Sequence, residues 1–346
     1  MEPFPPLWPS TYDRRHSGVK GLAESRGLRG LGCGANVSTR ERRRGRCRTG
    51  SQEVAIDAHQ LTDVVTHHGE GICWDPVAAR LRLVDVFAGD LLTLGKGNSN
   101  GNGNGNGDVA SRWHVGAVVG AWRPRTGGGV VVAVDAGFRL LDATGRVEWA
   151  SSAVLGPGLR WNDGGCDRDG RFWCGSMDVE ARAGRGTLWR LDPDREVAPT
   201  LTHLTVPNGL VWSVDGSRAF HVDTPRGTVD VLAHDRGAGT LSGRRPLARV
   251  SGGHPDGMAL DADGGLWVAL WGGAAVHRYA ADGRLTAVVE VDAVQVSSCS
   301  FGGPGDTRLY VTTSRQGLGE TEDPRAGAVF VVDVGVEGAP VATCGS

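Results

Sequence analysis

Four oxygen-bearing side chains occupy one position of a sequence repeat. They are Glu70, Asn162, Asn208 and Asp256, and each is followed within two residues by a glycine. Two carboxylates and two amide oxygens form an all-oxygen ligand set, which suits a hard divalent ion such as Ca²⁺, Mg²⁺ or Mn²⁺. Without an ion, the charges of Glu70 and Asp256 would repel in a partly desolvated site, and one carboxyl group would take up a proton. The pattern therefore indicates a divalent metal site.

The same residues have an alternative interpretation as turn residues that cap neighbouring backbone groups, as Asn and Asp often do. For a single position the two interpretations are about equally supported. Four oxygen-bearing residues in register favour the metal site, because Glu70 is not a common turn residue.

The repeat that relates these residues has six units, each with a turn-rich stretch and a strand-like segment rich in Val, Leu and Trp. An anchor residue lies four positions after the site position, and Val118 and Ser297 take that position in the second and sixth units. The anchors are Trp74, Trp122, Cys166, Trp212, Leu260 and Phe301, with spacings of 48, 44, 46, 48 and 41 residues. A period in the forties with β-like units is typical of propellers with four strands per blade. We therefore predict an all-β, six-bladed β-propeller.

This fold would bring the four side chains together. In a propeller, equivalent positions of successive blades are related by rotation about the central axis. Side chains that enter the innermost strands at one level therefore converge on the mouth of the axial channel.

A D-x-D-G motif recurs at Asp167–Gly170 and Asp261–Gly264. It resembles the start of a calcium loop, but the complete EF-hand spacing is absent. Asp-Gly is also a preferred hairpin turn. We interpret these motifs as turns between strands.

Composition limits the classes of function. The 346 residues carry a formal net charge of -2, which gives no reason to expect nucleic acid or an anionic membrane as a partner. No apolar run of about 20 residues predicts a membrane span. The seven cysteines are scattered without a C-x-x-C pair, so we expect reduced, mostly buried thiols and a cytoplasmic protein.

Two segments differ from the repeats. Residues 1–52 are rich in Arg, Gly and Pro without strand or helix periodicity, so we predict a basic, disordered N-terminal segment. We assign residues 53–346 to the propeller. Within it, residues 95–108 contain an alternating Asn-Gly run, which predicts a flexible low-complexity loop between two strands.

Five ordered motifs resemble the regucalcin (senescence marker protein) and gluconolactonase family over nearly 290 residues. They are GEGICWD at 69–75, RWNDGGCDRDGRFWCGSM at 160–177, PNGLVWSVDGS at 207–217, HPDGMALDADGGLWVALWGG at 254–273 and SSCSFGG at 297–303. The block at 160–177 is highly specific to the family. The basic segment at 1–52 has no counterpart in the resemblance.

The resemblance implies specific roles for six positions. It implies that Glu70, Asn208 and Asp256 bind one divalent ion, which we expect to be Ca²⁺, Zn²⁺, Mg²⁺ or Mn²⁺. It also implies that three residues contact the substrate: Arg160, Asn162 and Glu180. The implied activity is metal-dependent hydrolysis of a small-molecule sugar-acid lactone, by a monomer or small homo-oligomer.

A mechanism follows as a hypothesis. The carbonyl oxygen of a lactone becomes anionic when it is attacked, and a divalent ion stabilises that charge and activates water. Asp256 is the candidate general base, with Glu70 as the weaker candidate. Arg160 and Asn162 would orient the lactone by hydrogen bonds.

Three other functions remain open from the sequence. One is a related propeller hydrolase that acts on phosphotriesters or other lactones. A second is a calcium-binding regulatory protein without turnover, which would have no need for Arg160 and Asn162 as a substrate clamp. A third is a propeller scaffold for protein partners, which would not need oxygen ligands in register. Since propellers serve many functions, the fold does not separate these alternatives.

Overall fold

The segments rich in Val, Leu and Trp form β-strands, and tight turns separate them. The structure is a computed structural model that describes residues 54–95, 107–303, 305–319 and 321–345. Its strands form six sheets, which confirms the predicted six-bladed β-propeller. In these residues the single helical element is a short 3-10 turn, Thr224–Arg226.

The strands follow one another blade by blade. Two strands precede the first blade: β1 (Val54–Asp57) and β2 (His59–Gln60). The first blade contains β3 (Gly69–Asp75), β4 (Arg80–Asp85), β5 (Asp90–Leu94) and β6 (Val109–His114). The second contains β7 (Val119–Pro124), β8 (Val130–Val134), β9 (Gly137–Leu141) and β10 (Val147–Ala150). The third contains β11 (Leu159–Cys166), β12 (Phe172–Asp178), β13 (Gly186–Leu191) and β14 (Val197–Leu204).

The remaining three blades have the same order. The fourth contains β15 (Pro207–Trp212), β16 (Arg218–Asp223), β17 (Thr228–Asp235) and β18 (Thr240–Arg249). The fifth contains β19 (His254–Leu260), β20 (Leu266–Trp271), β21 (Ala275–Tyr279) and β22 (Leu285–Glu290). The sixth contains β23 (Val296–Phe301), β24 (Arg308–Thr313) and β25 (Val329–Asp333).

The ring of blades is closed by strands from both ends of the described chain. The sixth blade receives its fourth strand from β2, which pairs antiparallel with β25. The fifth blade gains an outer strand, because β1 pairs in parallel with β22. The innermost strands, β3, β7, β11, β15, β19 and β23, contact one another in sequence around the axis. This pairing of early strands with the last blades removes the open ends that a linear array would have.

Large aromatic side chains fill the spaces within and between blades. Trp122, Trp161, Trp173 and Trp267 are almost completely buried. The D-x-D-G motifs contribute to this core, because the indole N–H of Trp173 donates to Asp167 at 3.0 Å. The equivalent bond joins the Trp267 indole N–H to the first Asp of the other motif at 2.9 Å. Both motifs form turns between the first and second strands of a blade, so their interpretation as turns is confirmed.

The expectation of reduced thiols is wrong for two cysteines. Cys166, the last residue of β11, forms a disulfide with Cys344, which lies 178 residues further along the chain. The other described cysteines, Cys73, Cys174 and Cys299, are buried free thiols. No local pattern in the sequence indicates the bond, because the partners become neighbours only when the C-terminal segment crosses the end of the channel. There the Cys344 N–H donates to the carbonyl of Pro124 at 2.8 Å.

Two predictions concern segments that lie largely outside the described residues. The segment 1–52 lies wholly outside them, so the predicted disorder and the boundary at residue 52 stay predictions. The low-complexity insertion follows β5 and precedes β6 in the chain, and its residues 96–106 lie outside the described residues, so the predicted flexibility stays a prediction. At its base the Gly95 N–H donates to the carbonyl of Asp108 at 2.7 Å. Among the described residues there is no helix with the length and hydropathy of a membrane span.

We expect the Cys344→Ser substitution to lower the free energy of unfolding by about 2–4 kcal/mol, since the disulfide restricts the unfolded chain. Denaturant unfolding of wild type and variant, each with and without reductant, measures the effect. Reductant should destabilise the wild type and leave the variant unchanged. Equal responses of the two proteins to reductant would contradict a structural role for the bond.

Candidate functional site

The four repeated oxygen-bearing residues lie in the first part of four innermost strands. Glu70 is the second residue of β3 and Asn208 the second residue of β15. Asn162 is the fourth residue of β11, and Asp256 is the third residue of β19. Because these strands surround the axis in the same direction, the residues lie at one end of the channel.

A β-bulge interrupts each innermost strand at this level. In β3 the regular pairing stops at Glu70 and resumes at Cys73, and in β15 it stops at Asn208 and resumes two residues later. In β11 and β19 the unpaired residues include Asn162 and Asp256 themselves. A bulge bends the strand locally and changes the direction of a side chain. The six bulges therefore explain how residues on regular strands can turn toward a shared centre.

Two of the glycines that follow site residues, Gly209 and Gly257, make room for the next blade. A Cβ atom at Gly209 would lie 2.6 Å from the backbone oxygen of Asp256, and one at Gly257 would lie 2.5 Å from the hydroxyl of Ser298. The contact with a backbone oxygen cannot be relieved by a side-chain rotation. The glycines are thus needed for the close approach of neighbouring innermost strands.

Buried aspartates hold the segments that lead into the site. Asp85, the last residue of β4, accepts the backbone N–H groups of His67 and His68, just before Glu70. At the equivalent place in the fourth blade, Asp223 accepts the N–H groups of the two residues before Pro207. These carboxylates fix the backbone that carries the site residues. The sequence prediction did not include them, although Asp85, Asp135, Asp178 and Asp223 recur where second strands end.

Hydrogen bonds join the amide side chains across blades. The Asn162 amide donates to the side-chain oxygen of Asn208 at 2.9 Å and to the carbonyl of Pro207 at 3.0 Å. The Asn208 amide in turn donates to the hydroxyl of Thr224 at 2.9 Å, and that hydroxyl donates to the carbonyl of Pro255. This chain orients the Asn208 side-chain oxygen, which retains a second lone pair for a ligand.

The carboxyl groups at the site are electrostatically unfavourable in their charged forms. Burial raises the pKa of Glu70 to about 8, and the charge of Asp163 adds to the shift. Burial also raises the pKa of Asp256 well above its usual range, with further contributions from the charges of Glu70 and Asp163. One carboxylate oxygen of Asp256 is buried without a hydrogen-bond donor. A buried acceptor of this kind, next to a second carboxylate, fits a divalent cation held by Glu70, Asn208 and Asp256.

Asp163 is a third buried carboxylate of the site, and the sequence prediction did not assign it a role. It accepts the N–H of Gly164 at 2.7 Å and lies 3.9 Å from the guanidinium of Arg123. Its charge raises the pKa values of both Glu70 and Asp256. In the sequence, its position between the predicted site residue Asn162 and Gly164 could have indicated this role. In the structure, this part of β11 is the bulge.

Arg160 provides the positive charge of the site. Burial lowers its pKa to about 10, while the charges of Glu70 and Asp256 act in the opposite direction, so it stays protonated at neutral pH. Its guanidinium donates to the Asn162 side-chain oxygen at 2.8 Å and lies 5.7 Å from the ring centroid of Phe87. Thus Arg160 and Asn162 form one hydrogen-bonded pair beside the carboxyl groups.

His68 also contacts the Phe87 ring. Their rings stack with centroids 5.3 Å apart, and the His68 Nδ1 atom lies 2.7 Å from the hydroxyl of Ser314. Burial, followed by the charge of Arg160, lowers the pKa of His68 well below its usual value. His68 is therefore a neutral part of the site wall at neutral pH.

Glu180 is placed differently from the other predicted residues. It follows β12 at the same end of the third blade as Arg160, because Arg160 pairs with Met177 in that sheet. Its side chain is 72% exposed and lies 3.6 Å from Arg182. The other five predicted residues are connected to one another by hydrogen bonds or by interactions between their charges, whereas Glu180 has no such connection to them.

The two remaining positions of the repeat have structural contacts. Val118 precedes β7, and its N–H lies 3.3 Å from the Asp135 carboxylate. The Ser297 hydroxyl donates to the carbonyl of Gly69 at 2.5 Å, which links the last blade to the first.

A second group of possible ligands lies at the opposite end of the third and fourth blades. Asp167, Asp169 and His234 bring one ligand atom each within 4.8 Å of one another. However, Arg171 lies 3.2 Å from Asp167, and Arg236 forms two hydrogen bonds with Asp169. These arginines already balance the two negative charges, which disfavours a divalent ion there.

Comparisons with known proteins agree on one family. Residues 68–315 match the model of the SMP-30/gluconolactonase/LRE-like region. The chain is 33% identical to regucalcin of Xenopus laevis, with 67% of this chain and 82% of that protein covered. It is 32% identical to a pentonolactonase of Haloferax volcanii, and the match covers 81% of this chain and 96% of that protein. It also resembles the solved structure of regucalcin, a calcium-binding protein, from Agrobacterium tumefaciens, with a TM-score of 0.74 and 26% sequence identity. That match covers 85% of this chain and 99% of the solved chain.

The raised pKa of Glu70 predicts an unusual pH dependence of stability for the metal-free protein. The native state keeps a proton up to about pH 8, whereas an ordinary Glu in the unfolded chain releases it near 4.5. Between these values the native state binds more protons, so the free energy of unfolding should fall as pH rises. This is opposite to the behaviour of a carboxyl group with a lowered pKa.

Denaturant unfolding in chelator at pH 5 and pH 8 measures this dependence. Glu70→Gln should reduce the loss of stability between the two pH values, and Glu180→Gln, at an exposed position, should leave it unchanged. An identical pH dependence in wild type and Glu70→Gln would show that the Glu70 carboxyl group does not keep its proton in the native state.

Proposed function

The chain belongs to the SMP-30/gluconolactonase/LRE-like family, and from this premise we propose that it is a metal-dependent lactonase that opens a sugar-acid lactone. The observation that carries the proposal is the placement of opposite charges at one end of the channel. Buried carboxyl groups at Glu70 and Asp256 face the buried, protonated Arg160, whose pKa they influence. This arrangement offers a cation site and a substrate clamp side by side.

The ligand set supports one divalent ion, with Ca²⁺, Zn²⁺, Mg²⁺ and Mn²⁺ as the candidates. Glu70, Asn208 and Asp256 would hold it, since each presents a side-chain oxygen at the same level of the channel. When bound, the ion supplies positive charge that favours the ionised carboxylates and stabilises the oxyanion formed at the lactone carbonyl.

Asp256 is the proposed general base. Its carboxylate oxygen without a donor can accept a proton from water as the water oxygen attacks the lactone carbonyl carbon. The ring C–O bond then breaks, and the released alkoxide takes up a proton to give the hydroxy acid.

Arg160 and Asn162 are the proposed substrate clamp. The guanidinium has donors beyond those that bind Asn162 and the carbonyl of Trp161, and these can bind lactone hydroxyl or carbonyl oxygens. Because Asn162 is fixed by Asn208, the clamp has a defined position relative to the carboxyl groups. A calcium-binding protein without turnover would gain nothing from a buried arginine next to its cation ligands.

We expect Asp256→Asn to reduce lactone hydrolysis by about 10²–10⁴-fold or more, because it removes the base and one ligand charge. Acid release from a panel of aldonolactones, by metal-stripped protein with each candidate ion added back, measures the effect. Asp282→Asn, at an exposed turn, is the matched control. Full activity of Asp256→Asn would rule out the assignment, and metal binding without turnover on any lactone would favour the calcium-binding alternative.

We expect Arg160→Gln to act mainly on KM, with a loss of about 1.5–3 kcal/mol in kcat/KM if a charged hydrogen bond to substrate is removed. Steady-state kinetics separates kcat from KM, and calorimetric titration checks that metal affinity is retained. Arg245→Gln, at an exposed position of β18, controls for the loss of charge. A change in kcat with unaltered KM would place Arg160 in the chemical step instead of in substrate binding.

A further inference from the structure

The channel contains a cavity of about 100 Å³ at the end opposite the carboxyl groups. It is lined by later residues of the innermost strands, among them Cys73, Gly165 and Ser300, and by the C-terminal segment Ala339–Ala342. Since a water molecule occupies about 30 Å³ in the liquid, this space is large enough for a small ion together with water.

The lining of the cavity is positively charged. Arg123 and Arg168 both contribute to it, and no Asp or Glu is among the residues that line it. Arg123 has one carboxylate nearby, Asp163, at 3.9 Å. For Arg168, burial lowers the pKa, and no neighbouring charge contributes to the shift. The cavity is therefore a buried basic site with incomplete charge compensation.

Two lining residues carry buried donors that lack an acceptor. The Arg168 Nε atom and the indole nitrogen of Trp212 are inaccessible to solvent and have no hydrogen-bond partner. Trp212 is only 4% exposed. The Arg168 guanidinium donates a hydrogen bond of 2.6 Å to the carbonyl of Pro340. Unsatisfied buried donors beside a cavity indicate a missing acceptor, because leaving such groups unpaired is costly.

We propose that the cavity between Arg123, Arg168 and Trp212 binds one small inorganic anion, of chloride to phosphate size. Guanidinium groups bind such anions through charge-assisted hydrogen bonds, and the neutral indole N–H adds a further donor. The anion would also fasten the C-terminal segment, because Arg168 bonds to Pro340 and the adjoining residues line the cavity.

Bromide is the direct probe of the site, because its anomalous scattering identifies it in crystals. Crystals of the full chain grown in sodium bromide should show one anomalous peak in contact with the Arg168 guanidinium. Ordered water bridging Arg168 and Trp212, with no halide peak in the cavity, would overturn the proposal. The measurement needs neither substrate nor turnover, so its failure is distinct from a failure of the proposed lactonase.

Thermal unfolding gives the matching test in solution. The melting temperature of wild type should rise to saturation with bromide or phosphate, relative to an equal ionic strength of a sulfonate buffer anion too large for the cavity. Arg168→Met, which keeps the aliphatic part of the side chain, should weaken the apparent affinity at least tenfold. Arg245→Met, outside the cavity, should behave as wild type. Equal responses of all three proteins would contradict the proposal, and so would a response to the large anion.

Discussion

Repulsion between buried carboxyl groups is the constraint on which the rest of this structure depends. Glu70, Asp163 and Asp256 are each less than a tenth exposed. The charge of Asp163 raises the pKa values of Glu70 and Asp256, and the charge of Glu70 raises that of Asp256 further. Burial of such groups is costly unless a proton or a cation compensates them. The propeller tolerates this cost because its large core lies between the blades, away from the channel. The cost is local to the channel mouth, and a cation bound there would reduce it.

The backbone around the channel keeps the carboxyl groups in place despite their repulsion. Each innermost strand has a bulge at this level, and glycines such as Gly209 let the next blade approach closely. Buried aspartates at the ends of second strands hold the preceding turns through backbone N–H groups. Because these features recur by rotation, a short motif repeated along the chain is sufficient to build a convergent site from distant residues.

The two ends of the channel have opposite character. Carboxyl groups dominate the end where the innermost strands begin, whereas Arg123 and Arg168 lie at the cavity toward the other end. A C-terminal segment crosses that second end and is attached to β11 by the disulfide between Cys166 and Cys344. The segment thus forms part of the cavity wall.

The sequence by itself determined the propeller, its six units and the positions of Glu70, Asn162, Asn208 and Asp256 within them, because a local repeat of turns and strands is visible in residue order. Only the tertiary structure decided which residues meet across blades. Cys166 and Cys344 are 178 residues apart, and neither has a local pattern that identifies its partner. Side-chain directions at bulges and turns likewise decide three other features. They are the effect of the Asp163 charge on Glu70, the Arg168 donor without an acceptor and the exposed position of Glu180. Those directions are set by packing between blades, which the spacing of residues along the chain does not encode.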